Sequence, residues 1–165
     1  PLTDGIDMRG GPRTDPAMDW KFVERVRDYW KGKFMIKGID THEDAKLCLD
    51  HGLDGILVSN HGGRQMDSAP SSIAMLPRIA DAVQDRMTIL FDSGVRRGHD
   101  VIKALALGAK ACLLGRAYAY ALGAGGATTL EQGLRIFESD MMSVLGFLGV
   151  QGVRELDRRV LDFGS

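Results

Sequence analysis

Apolar positions along the chain alternate between two periods. Trp20, Val23, Val26 and Trp30 recur at helical spacing, with Asp19 placed to cap the helix and Gly32 to stop it. A short apolar run over 34–37 reads as a buried strand. Residues 41–51 read as a helix with Ala45, Cys48 and Leu49 on one face and Gly52 as its stop, and 55–59 as the next strand. The alternation continues with a helix over 71–83, a strand over 88–91, a helix over 99–107 and a strand over 111–114. Beyond it, Leu130, Leu134, Phe137, Met141, Val144, Leu145 and Leu148 mark a long amphipathic helix, whose methionine and leucine stripe is expected to pack as core. A last short helix is expected over 152–160.

Continuous hydrophobic strands, each followed by a helix, predict parallel strands covered by helices, in a (β/α) barrel or a doubly wound sheet. "HGLDGILVSN" and "LALGAKACLLGR" resemble each other, each reading as helix end, glycine, short link and strand. A closed barrel needs eight such units and about 250 residues. With 165 residues, the chain has material for half of one. It opens at Pro1 without methionine, and 1–18 reads as a loop rich in glycine and proline, like the end of a longer connection.

Composition narrows the partners. With 44% hydrophobic residues, 26% charged residues and a net charge of −1, the chain resembles an ordinary globular protein, with no electrostatic grip on nucleic acid. Cys48 and Cys112 lie in apolar periodic segments, without the spacing of a metal site, so both read as structural thiols and no metal is expected. Few cysteines, no signal peptide and no apolar run of about twenty residues predict a cytoplasmic protein.

In parallel α/β folds the chemistry gathers at the carboxyl ends of strands. The four strand ends are Lys37-Gly38, Ser59-Asn60-His61-Gly62-Gly63-Arg64, Asp92-Ser93-Gly94-Val95-Arg96 and Gly115-Arg116. A lysine at a strand end is commonly a solvated surface group. Set between Ile36 and Gly38, Lys37 could instead stabilise negative charge on an electron-accepting ring. By residue type alone, His61 reads as a turn histidine bonded to backbone. Its neighbours favour a base: Gly62 and Gly63 let a ligand approach the backbone, and Arg64 supplies a planar fork suited to a carboxylate. "DSGVRRG" and "LLGRA" look like an anion cradle in which glycine amides and Arg96 or Arg116 hold a phosphate. Arg97 and His99 read as surface groups, and His42 and His51 as solvent-facing or capping residues.

"IKGI", "VSNHGGRQMD", "DSGVRRGHDVIKALALGA" and "LLGRAYAYAL" resemble the carboxyl-terminal half of the FMN-dependent α-hydroxy-acid oxidases and dehydrogenases, the family of glycolate oxidase, L-lactate dehydrogenase and mandelate dehydrogenase. The resemblance covers about residues 20–160. It implies an α/β fold, the carboxyl-terminal half of a (β/α)8 TIM barrel with four parallel strands, their helices and terminal helices; 1–18 would end a variable loop and 19–165 would form the FMN-binding half-barrel. It implies that Lys37 faces the flavin pyrimidine edge, that Ser59 contacts the ring, that His61 is the base and that Arg64 binds the substrate carboxylate. Asp92, Ser93, Gly94, Val95 and Arg96, with Gly115 and Arg116, would hold the ribityl phosphate end. The implied reaction oxidises an (S)-2-hydroxy acid to the 2-oxo acid. Implied partners are a small 2-hydroxy acid, quinone or oxygen as electron acceptor, further copies in a homo-oligomer of the complete protein, and the inner face of a bacterial membrane touched by the loop before residue 18. "DSG" in place of "DGG" leans towards the quinone-linked bacterial dehydrogenases. The family's amino-terminal half supplies a substrate-binding tyrosine, further flavin contacts and a carboxylate that orients the histidine, so the chain by itself is expected to hold half of the site. Two other readings stay open. One is a different FMN barrel, such as a flavin-type isopentenyl-diphosphate isomerase, which has no need of His61 beside Arg64. The other is a non-catalytic half-barrel acting as an FMN-binding or assembly fragment.

Overall fold

The structure, a computed structural model, describes residues 18–162; apart from Met18, the expected opening loop lies outside them. Helix α1 (Trp20–Tyr29) starts where Asp19 Oδ1 accepts the Phe22 N–H at 2.9 Å, and α2 (His42–Asp50) starts where Thr41 Oγ1 accepts the Asp44 N–H at 3.1 Å. Between them lies β1 (Met35–Ile39). The chain continues through β2 (Gly55–Val58), α3 (Ser72–Val83), β3 (Thr88–Phe91), α4 (Gly98–Ala106) and β4 (Ala111–Cys112).

The four strands form one parallel sheet in the order β1-β2-β3-β4. Its register settles which residues share a face. Ile36, Ile56 and Ile89 align, as do Ile39, Val58, Phe91 and Cys112, and these rows pack on Ala45 and Cys48 of α2, Leu76, Ile79 and Val83 of α3 and Ala104 of α4. The opposite face carries the row Lys37, Leu57, Leu90 and Ala111, with Met35 and Leu113 exposed on it. Strands in sequential order with helices on one face form an arc of a (β/α) barrel, since a doubly wound sheet reverses its strand order and covers both faces.

The two resembling segments make the same turn. Gly52 (φ +69°) donates to Leu49 O and Leu53 N–H to Cys48 O; Gly108 (φ +113°) donates to Leu105 O and Ala109 N–H to Ala104 O, all at 3.0 Å. In each, the left-handed glycine closes the helix and aims the chain into the next strand.

The carboxyl-terminal region departs from expectation. The long helix begins at Arg116, not near Leu130: α5 (Arg116–Leu148) is helical on both sides of a break at Gly125 and Gly126. Small residues in "ALGAGGA" hide the period, and Gly126, at φ +70°, interrupts it. The apolar stripe is core only in part, because Leu145 is buried and Phe137 packs on the core while Leu134 is 48% exposed. In place of a helix over 152–160 there are two 3-10 turns, Val153–Glu155 and Arg158–Val160, with Leu156 and Asp157 extended between them.

His51 caps α2 and His99 is exposed, as expected, and each also joins two helices. His51 stacks on Trp20 with ring centroids 5.1 Å apart and sets Nδ1 3.3 Å from Glu24, joining α1 to α2. His99 Nδ1 lies 2.8 Å from Asp140 Oδ1, at a point where a Cβ on Gly98 would come within 2.6 Å of Met141 N. Only a glycine permits that approach of α4 to α5. His42 is part-exposed and pairs with Glu43 at 3.1 Å. Burial, aided by Asp44, pushes the Cys48 thiol up to about 11, and burial with Asp100 pushes Cys112 up to about 12, so both pack as neutral groups.

Asp54 ties α1 to the β1–β2 connection, accepting from Lys33 Nζ at 2.7 Å, Phe34 N–H at 2.9 Å and Arg27 at 3.2 Å. The Lys33 hydrogen bond, then that of Phe34, hold its pKa down at about 2. An unfolded aspartate titrates near pH ~4. Its contribution is therefore complete above that value and is lost as pH falls through about 2. Asp54→Asn should lower the urea midpoint at neutral pH, and its difference from wild type should vanish near pH 2; a difference that persists there would contradict the assignment. A second expectation follows from the exposed Met35 and Leu113 on the inner sheet face and from the outer edges of β1 and β4, which no other strand pairs among the described residues. The 165-residue polypeptide should self-associate, and size-exclusion chromatography showing a monodisperse monomer would refute this.

Candidate functional site at the carboxyl rim of the sheet

The expected strand ends converge on one rim. Lys37 Nζ donates to Ser59 Oγ at 2.6 Å and to Asp92 Oδ2 at 2.7 Å, so one ammonium joins the ends of β1, β2 and β3. Ser59 is 1% exposed and also accepts the His61 N–H at 3.1 Å. Burial opposes the charge on Asp92, but hydrogen bonds from Lys37, Ser59 and Ser93, with the Lys37 charge, outweigh it and hold the carboxyl below its usual range. The rim is a fixed, ionised pair.

Gly38 makes room for the histidine. It is the irregular residue in the β1–β2 register and has φ +97°, and a Cβ placed on it would sit 2.8 Å from His61 Cε1. The imidazole therefore lies against the residue next to Lys37. His61 itself has φ +56°, within the 3-10 turn His61–Gly63 that follows β2. Asn60 holds this turn in place: its Oδ1 accepts the Gly62 N–H at 3.0 Å, its own N–H donates to buried Ser72 Oγ at 2.8 Å, and its Nδ2 donates to Pro70 O at 3.2 Å. Asn60 and Ser72 were not singled out from sequence. The available signal was an asparagine directly before "HGG" and a serine opening the next helix.

Other expected residues fall differently. Arg64 is exposed and donates from Nε to His61 O at 3.3 Å. Arg116, at the start of α5, donates to Gly62 O at 3.4 Å and so reaches the His61 turn. Asp92 and Ser93 turn towards Lys37 and Gly62. The Val95 side chain is buried in the core, which leaves only its backbone for a ligand. Asp100 Oδ2 takes the N–H groups of Arg96 and Arg97 at 2.9 and 3.2 Å, so those amides already serve an internal carboxylate. Open space surrounds the positions a Cβ would take on Gly94, at φ +82°, and on Gly115. Two hollows lie away from this rim: one of about 710 Å³ between α3, α4 and the last turns, and an apolar one of about 390 Å³ beneath α1.

Comparison with known proteins agrees on the kind of chain this is. The sequence pattern of the FMN-dependent dehydrogenases matches residues 5–163. The L-lactate dehydrogenase of Caulobacter sp. (strain K31) is 49% identical over 151 residues, which are 92% of this chain and 40% of that protein. That of Actinobacillus pleuropneumoniae serotype 5b (strain L20) is 48% identical, with the same two coverages. Among solved structures, a soluble mutant of the membrane-associated (S)-mandelate dehydrogenase from Pseudomonas putida superposes with a TM-score of 0.87 at 38% identity, covering 93% of this chain and 44% of that one. A mandelate oxidase solved with (S)-4-hydroxymandelic acid gives a TM-score of 0.80 at 41% identity, covering 85% of this chain and 39% of that one. The chain thus spans about two-fifths of the length of the curated relatives it matches.

Because the Lys37 side chain is 43% exposed, solvent screens its pairing with Asp92. A double-mutant cycle with Lys37→Met and Asp92→Asn should give a coupling of about 1 kcal/mol in urea unfolding. Additive effects of the two substitutions would show that the pair does not brace the rim.

Proposed function

The chain belongs to the FMN-dependent dehydrogenase family, and on that premise we propose that it forms the base-bearing part of an enzyme oxidising an (S)-2-hydroxy acid to the 2-oxo acid. The observation that carries this reading is the His61 ring lying against Gly38, one residue from the Lys37 ammonium. A base and a cation on adjacent strand ends suit removal of a proton from a substrate as its electrons leave.

The residues present fit FMN. A cation stands at the rim in the row of Leu57 and Leu90 for the ring, and open space at Gly94 and Gly115, with exposed Arg96 and Arg116 nearby in sequence, suits a phosphate. When bound, FMN supplies the two-electron acceptor. Lys37 places a positive charge beside it, with Ser59 and Asp92 holding the ammonium in place. His61 takes the substrate proton at a ring nitrogen; Arg64, whose Nε donates to His61 O, would release that contact to bind and orient the carboxylate. The proposed acceptor of the electrons in turn is a quinone or oxygen. A membrane contact before residue 18 would fall on residues outside those described. Among the described residues, no helix is long and apolar enough to cross a membrane.

The test is a chimera in which this chain replaces the matching segment of the Caulobacter L-lactate dehydrogenase, assayed by flavin absorbance and its bleaching by L-lactate or L-mandelate. The chimera should bind flavin and be bleached. His61→Gln should retain the flavin while turnover falls by about 10²- to 10⁴-fold, the usual share of a general base. Near-normal flavin reduction in that variant would sink the assignment of His61.

A further inference from the structure

Two rim residues hold backbone conformations that side-chain-bearing residues rarely adopt: His61 at φ +56° and Ser93 at φ +78°. Such conformations persist where the surroundings over-determine them. At Ser93 the side chain does this. Its Oγ donates to Asp92 Oδ1 at 2.8 Å and accepts the Gly62 N–H at 3.1 Å, with Ser59 Oγ a further 3.5 Å contact. Asp92 is itself held by Lys37, so the Ser93 proton is committed to the carboxylate and a lone pair is left facing Gly62. Gly62 N–H is shared with Asn60 Oδ1 at 3.0 Å. Asn60 belongs to the same loop as Gly62, whereas Ser93 reaches over from the next strand.

We propose that Ser93 is a positioning residue whose hydroxyl locks the His61 turn onto the end of β3, keeping the imidazole over Gly38 and beside Lys37. The proposal rests on the reading of His61 as the base and adds the element that aims it. A glycine at position 93 would accept φ +78° without strain and offer no acceptor to Gly62. The backbone and the hydroxyl can therefore be separated by substitution.

The test uses nuclear magnetic resonance on the flavin-loaded chimera described above, with histidine and glycine selectively labelled. In wild type, the His61 Cε1 proton should show a strong cross-relaxation peak to the Gly38 α-protons. In Ser93→Gly the peak should be lost while the melting temperature is unchanged or raised, and Gly62 amide exchange should quicken by up to about tenfold, the scale of one hydrogen bond. Ser93→Ala, which keeps the Cβ and removes the hydroxyl, should lose the peak as well. A peak retained in both variants overturns the proposal. The function fails separately: normal turnover in the His61→Gln chimera, with the peak lost in Ser93→Gly, would refute the base and leave the lock standing.

Discussion

One ammonium group organises the rim. Lys37 extends from an otherwise apolar inner row and reaches Ser59 on the second strand end and Asp92 on the third. A part-buried carboxylate beside a buried hydroxyl is tolerable because the cation and the hydroxyls satisfy it. With Asp92 ionised and fixed, Ser93 has a defined place for its proton, Gly62 has an acceptor, and the His61 turn follows. The helices behind the sheet supply the rigidity, since Ile56, Val58, Ile89 and Phe91 anchor the same strands in a dry core.

Much of this is legible along the chain, because apolar periodicity and caps are local signals. Asp19 caps the helix it was expected to cap, and Thr88–Phe91 is the strand its β-branched and apolar residues predict. Where several small residues blur the period, as before Gly125, a helix goes unread. The stripe on α5 shows a second limit: periodicity reveals that a helix has an apolar face, and not what covers it.

Contacts between distant segments are harder. Lys37 and Asp92 are 55 residues apart, and nothing in either segment announces that they meet. That both lie at strand ends was readable; that the aspartate holds the lysine was not. Likewise nothing in "DSGVRRG" announces that Asp100 takes the Arg96 and Arg97 amides. His51 and His99 repeat the lesson, since a histidine's role depends on which neighbouring helix approaches it.

The sequential strand order bears on how the protein forms. Each strand pairs with its successor, and the one intervening β/α unit ends in its own glycine turn at Gly52 or Gly108 where the pattern repeats. Pairings of short sequence separation have a small loop-closure cost, so the sheet can grow strand by strand from either end. During synthesis β1 and β2, with α2 between them, can pair before β4 has left the ribosome. Lys37 would then hold only Ser59, its charge uncompensated, until β3 delivers Asp92, so that closure of the rim follows the seating of the third strand in register.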